Sequence, residues 1–170
     1  MPDTPKGRVE TKGKGDCLVI SLQPAASSIR GPGGGEIPFS RAMLKIRNVC
    51  DAEVVNIVLH AMLGQEGGTA QDVSASFLQL TPLSISPGGT ADWDVYDLLL
   101  PAHLGTASKV HMFGYRAVLN WRFDLSVWVE YLTPVSSFPV QTPVSRWALR
   151  WSVADPATGE IGLAIEEVLD

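Results

Sequence analysis

The amino-acid sequence predicts an all-β fold: a single antiparallel sandwich of two sheets, or jelly-roll, with eight to ten strands and at most one short helix near residues 94–100. Three observations carry this expectation. Apolar and polar side chains alternate along several segments, which is the period of an extended chain with one buried face. Clusters of Gly, Pro, Asn and Asp interrupt those segments at short intervals, as turns do. A chain of 170 residues without an internal repeat or dividing linker suits one domain, large enough to bury about two-thirds of its unfolded surface.

Residues 1–16 are polar and Lys/Gly-rich, and read as a flexible arm ahead of a domain spanning 17–170. Cys17 to Leu22 is the first strand. Pro24 to Pro38 reads as a loop around Gly31-Pro32-Gly33-Gly34-Gly35, a run that does not hold one backbone conformation cheaply. In Ala42 to Val49, Lys45 and Arg47 alternate with Leu44 and Ile46. After the polar turn Cys50-Asp51-Ala52-Glu53 a second stripe runs through Val55, Ile57, Leu59, Ala61 and Leu63. Together these two read as a hairpin.

Gly64 to Asp72 reads as a loop, Ser76 to Ile85 as a strand, Ser86-Pro87-Gly88-Gly89 as a turn and Thr90 to Val95 as a short strand. The helix candidate at Asp97-Leu98-Leu99-Leu100 is stopped by Pro101. The longest alternation runs over the odd positions from Tyr115 to Tyr131 and includes Trp121, Phe123, Leu125, Val127 and Val129. Unbroken, it would extend roughly 56 Å, severalfold longer than an ordinary strand. It therefore bends across two sheets or is divided by a turn near Asn120 or Phe123-Asp124. Thr133 to Pro143 reads as a Pro-punctuated loop in which Phe138 and Val140 are too apolar for an idle connection. Trp147, Leu149, Trp151 and Val153, turned by Asp155 to Gly159, face Ile161, Leu163 and Ile165 in a C-terminal hairpin.

Charged residues make up 18% of the chain and apolar residues 45%, against about a quarter charged on average. A low charge share leaves surface for a partner, or reflects a core enlarged by long strands. The net charge of −5 is unevenly spread: no Lys or Arg lies between Arg47 and Lys109, while seven Asp and Glu do. Such blocks favour a positively charged partner, including another copy of the chain, unless interleaved strands average them out in space. No Arg/Lys cluster with interleaved aromatics signals nucleic-acid binding, and no run approaches the eighteen apolar residues of a membrane span. No secretory signal is visible at the N-terminus. Cys17 and Cys50 are accordingly expected as reduced, buried thiols in a cytoplasmic protein or one inside an assembled particle.

No cofactor motif is present: the Gly31–Gly35 run lacks the Lys and the helix that phosphate binding uses. His60, His103 and His111 stand outside metal-ligand spacing. Asp92, Asp94 and Asp97 are weak metal candidates, since carboxylates plus carbonyls make a Ca²⁺ shell; the same residues suit the N-cap and first turn of a helix. Trp121, Trp147 and Trp151 fall on core faces. Trp128 lies opposite the long stripe and, with Trp93 and Phe138, is the candidate binding group: covered by a second layer, stacked on a sugar, or anchoring a protein contact.

Three functions compete. The first is a non-enzymatic structural subunit, a homo-oligomer or scaffold partner, whose architecture suits a coat- or matrix-type virion protein. The second is a carbohydrate- or lipid-binding β-sandwich that uses exposed aromatics. The third is an enzyme built on the Asp cluster with His103 or His111. The sequence favours the first, and predicts no catalytic residue and no cofactor.

Overall fold

The computed structural model describes residues 16–31, 33–66, 68–74, 81–96 and 118–169. Among the described residues, ten strands join in one hydrogen-bonded sheet: β1 (Leu18–Arg30), β2 (Glu36–Asn48), β3 (Val54–Gln65), β4 (Gln71–Asp72), β5 (Ser84–Ile85), β6 (Thr90–Asp94), β7 (Arg122–Leu132), β8 (Val140–Gln141), β9 (Ser145–Asp155) and β10 (Glu160–Glu167). The main path is β1-β2-β10-β9-β7-β3-β4, with β5 added to β3, β6 to β2 and β8 to β7. The fold is thus nearly all-β, as the alternation predicts. The sheet is mixed rather than wholly antiparallel, because β10 meets β2 in the parallel sense, at Ile161 and Phe39.

The inward stripe of β7 is the one the sequence shows: Phe123, Leu125, Val127, Val129 and Tyr131 are all buried, as are Trp147, Leu149 and Trp151 of β9. The long run does not continue as one strand to Tyr115. Asn120 takes a left-handed conformation at φ 65°, which Asn tolerates better than most residues, and β7 starts at Arg122. Leu119 makes only a single parallel bridge to Trp151, and residues 115–117 lie outside the described residues. Losing the alternation at Asn120 corrects the placement of Trp121, which is 41% exposed rather than core. Val153, near the end of β9, is also exposed, contrary to its place in the C-terminal stripe. Otherwise the C-terminal hairpin of β9 and β10 pairs as expected, with a bulge at Glu160/Ile161.

Three further expectations are corrected. Pro24 to Pro38 is mostly strand: β1 and β2 pair over all thirteen residues, from Leu18 opposite Asn48 to Arg30 opposite Glu36. The prolines are compatible because of parity. Val49 donates to the carbonyl of Cys17, whereas Asn48 donates outward, to Gly89. Odd-numbered residues of β1 therefore face β2, and even-numbered ones face away. Pro24 and Pro38 both sit where no N–H between β1 and β2 is required. The second correction concerns β2 and β3, which do not form a hairpin. β3 pairs with β7, β4 and β5 instead, so Cys50 to Glu53 is a corner. The third is the cysteines: Cys17 and Cys50 form a disulfide with Cα atoms 5.0 Å apart, because the β1–β2 register carries two residues distant in sequence to the same corner.

Aromatic rings join β2 to β9 where the parallel bridge lies. Phe39 stacks on Trp151 at 6.2 Å, Tyr96 packs edge-on against Phe39 at 4.9 Å, and Phe123 meets Trp151 at 6.1 Å. The Trp151 indole N–H donates to the Ser40 carbonyl at 2.8 Å. Of the helix candidate, Asp97 to Leu100 lie outside the described residues, as do the arm residues 1–15, His103, His111 and residues 76–80 of the strand expected at 76–85, of whose described part only Ser84–Ile85 is strand. Its first residues show Asp94 Oδ1 accepting the Tyr96 backbone N–H at 2.9 Å, the contact of a capping aspartate.

Candidate functional site

The three aromatic candidates are not brought together. Trp93 on β6 is 2% exposed, part of the core. Trp128 lies on the outer face of β7, where one face of its indole is taken by the His60 imidazole, nearly parallel at 5.2 Å. Beside them His60 Nε2 is 3.7 Å from Glu130 Oε1. Phe138 is 80% exposed in the turn that follows β7, and among the described residues no ring contact joins it to Trp93 or Trp128. The Asp candidates separate too. Asp92 is exposed on β6 opposite Lys45, and the Asp94 carboxylate accepts from Arg41 Nη1 at 3.1 Å. Among the described residues no group of three or more His, Cys, Asp or Glu is arranged to hold a metal ion.

What the fold does assemble is an apolar end. Leu83 is 88% exposed and Val135 is 93% exposed. Both reach the same place as Phe138 through the register of the sheet. The Leu83 carbonyl accepts the Asn56 N–H, one residue from Val55, and Val55 pairs with Leu132, the last residue of β7. Val135 and Phe138 follow in the turn closed by Ser136 bonding to Thr133. Val58, opposite Glu130, and Val144, next to the first residue of β9, lie in the same half of the sheet. Val168 and Leu169 lie nearer its middle, where the Val168 N–H bonds the carbonyl of Arg146, the partner of Ser126. Of the nine large apolar side chains exposed among the described residues, only Trp121 and Val153 lie at the opposite end. Scattered exposed apolar residues are ordinary, but grouped ones are not.

The charge blocks interleave in space. Arg41 pairs with Asp94, and Arg150 Nη2 lies 3.5 Å from Glu66 Oε2, so the acidic tract meets basic strands inside the molecule. Beside Trp121, Arg122 also bonds Asp124 at 3.0 Å. The apolar end differs. Asp51, Ala52 and Glu53 are all exposed in the β2–β3 corner, and β3 begins there beside β5.

That corner is rigid. The buried Asn48 amide donates to the Ala52 carbonyl at 2.8 Å and the Ile85 carbonyl at 2.9 Å, while its oxygen accepts the Cys50 N–H at 2.9 Å. The Cys17 N–H donates to the Tyr131 hydroxyl at 2.8 Å. Burial pushes the Tyr131 phenol above its usual value, offset in part by that hydrogen bond.

No family model matches the chain, and neither does any curated protein. A solved structure from Archaeoglobus fulgidus, described only as a protein, aligns with 88% of this chain and 98% of its own length, at 9% identity and a TM-score of 0.27. A likeness that slight carries no argument about fold or function. Among the described residues no helix is long and apolar enough to cross a membrane.

Proposed function

We propose that this chain is a non-enzymatic structural subunit that works through protein–protein contacts, in the manner of a coat- or matrix-type virion component, and that its sheet closes as two packed layers. The observation that supports this reading is the trio Leu83, Val135 and Phe138, each at least four-fifths exposed at one end of the sheet. Burying a side chain of this kind is worth about 1.5–3 kcal/mol. Three of them held out on a corner braced by a disulfide and a buried amide are suited to a binding partner. No comparable grouping favours the carbohydrate or lipid reading, since its aromatics are buried, covered or apart. The Cys17–Cys50 bond fits maturation in an oxidising setting better than in the cytosol.

The test is sedimentation of the protein extracted from its own source, beside a Val135→Asp/Phe138→Asp variant. The expected result is that the native chain travels in an assembly much heavier than one chain and that the variant is released from it. Native chain sedimenting as a lone monomer at every concentration would sink the reading.

A further inference from the structure

We infer that the apolar end docks a basic protein surface, an apolar centre ringed by Lys or Arg, carried by a different chain and not by the same end of a second copy. This rests on the protein-contact reading above and deepens it by naming the partner's chemistry. Carboxylates lie next to Leu83, Val135 and Phe138 along the sheet: Asp51 and Glu53 in the β2–β3 corner, where β3 begins beside β5, and Glu130 on the outer face of β7, two residues before Leu132. Among the described residues, no ion pair engages Asp51 or Glu53, and the one basic side chain paired with Glu130 is His60. Glu66 and Asp124 near Trp121 are held differently, by Arg150 and Arg122. Exposed apolar side chains are thus flanked by carboxylates that no basic side chain neutralises among the described residues. Two such ends repel each other, whereas a basic surface is attracted and oriented by the same field. Strand addition is a poorer fit, because the second half of edge strand β1 turns Pro24 outward and the opposite edge of the sheet is made of two-residue strands.

Three short synthetic peptides serve as probes of the purified full chain: alternating Lys–Leu, alternating Glu–Leu and alternating Lys–Ser. Binding is followed by fluorescence anisotropy at low and high salt. The Lys–Leu peptide should bind at least about tenfold tighter than either of the others, and should weaken as salt rises. Val135→Ser/Phe138→Ser and Glu53→Gln/Glu130→Gln should each reduce that binding severalfold, and Trp121→Ser should leave it unchanged. Equal binding of the Lys–Ser peptide reduces the site to a charge trap and overturns the inference. Equal binding of Glu–Leu, or indifference to the Val135/Phe138 change, overturns it as well. A purified dimer that Phe138→Ser dissociates assigns the surface to a second copy and also defeats it. These outcomes are separable from the sedimentation test: a chain that assembles but ignores basic peptides loses only the partner's chemistry.

Discussion

Asn48 holds the corner on which the apolar end is built. With three hydrogen bonds from a fully buried side chain, it leaves two carbonyls and one N–H without partners when removed. Asn48→Ala should therefore cost about 2–4 kcal/mol in denaturant unfolding, and Asn48→Asp should not rescue it, because a carboxylate cannot donate to the Ala52 and Ile85 carbonyls. A loss below about 0.5 kcal/mol, the scale of an ordinary surface change, would contradict this role. Tyr131 carries a pH signature. Its folded pKa is raised by burial, so above the unfolded value of about 10 the unfolded chain has released a proton that the folded chain still binds. Stability then falls as pH rises past that value and is unaffected below it. Urea titrations of wild type and Tyr131→Phe over this range should show the wild type losing stability more steeply; parallel slopes would refute the assignment.

The β1–β2 ribbon and its disulfide are the element that sequence reasoning read least well. The alternation from Phe123 to Tyr131 and from Trp147 to Trp151 was legible because each buried face is continuous and the polar face is solvated. Pro24 to Pro38 was not, because Pro and Gly are punctuation only where the ladder needs an N–H, and parity removes that need at both prolines. Pairing is a global property, which is why β2 looked joined to β3 and why two cysteines distant in sequence, one before β1 and one after β2, gave no sign of meeting. The disulfide spans a sequence separation of 33, and loop-closure entropy for a ring of that size is about 4 kcal/mol. Reduction, or a Cys17→Ser/Cys50→Ser change, should lower Tm markedly in a scan with and without reductant. Equal melting in both conditions would show that the thiols are not paired in solution.

At the scale of the whole molecule, one end gathers exposed apolar side chains beside the carboxylates of the β2–β3 corner. Of that surface only Phe138 stood out in the sequence, as an aromatic residue too apolar for its loop. Leu83 and Val135 lie 52 residues apart and come to the same end only through the pairing of β3 with β5 and β7, which no local pattern records. A surface of this kind separates binding from folding. Val135→Ser/Phe138→Ser should leave unfolding free energy within about 0.5 kcal/mol of wild type, whereas Trp151→Ala in the aromatic junction should cost about 3–5 kcal/mol. The most direct measurement is hydroxyl-radical footprinting of the purified chain against the chain in its native assembly. Leu83 and Phe138 should be labelled freely in the first and protected in the second, with Trp121 labelled alike in both. Phe138 labelled equally in the two states would contradict the claim that this end is where the protein meets its partner.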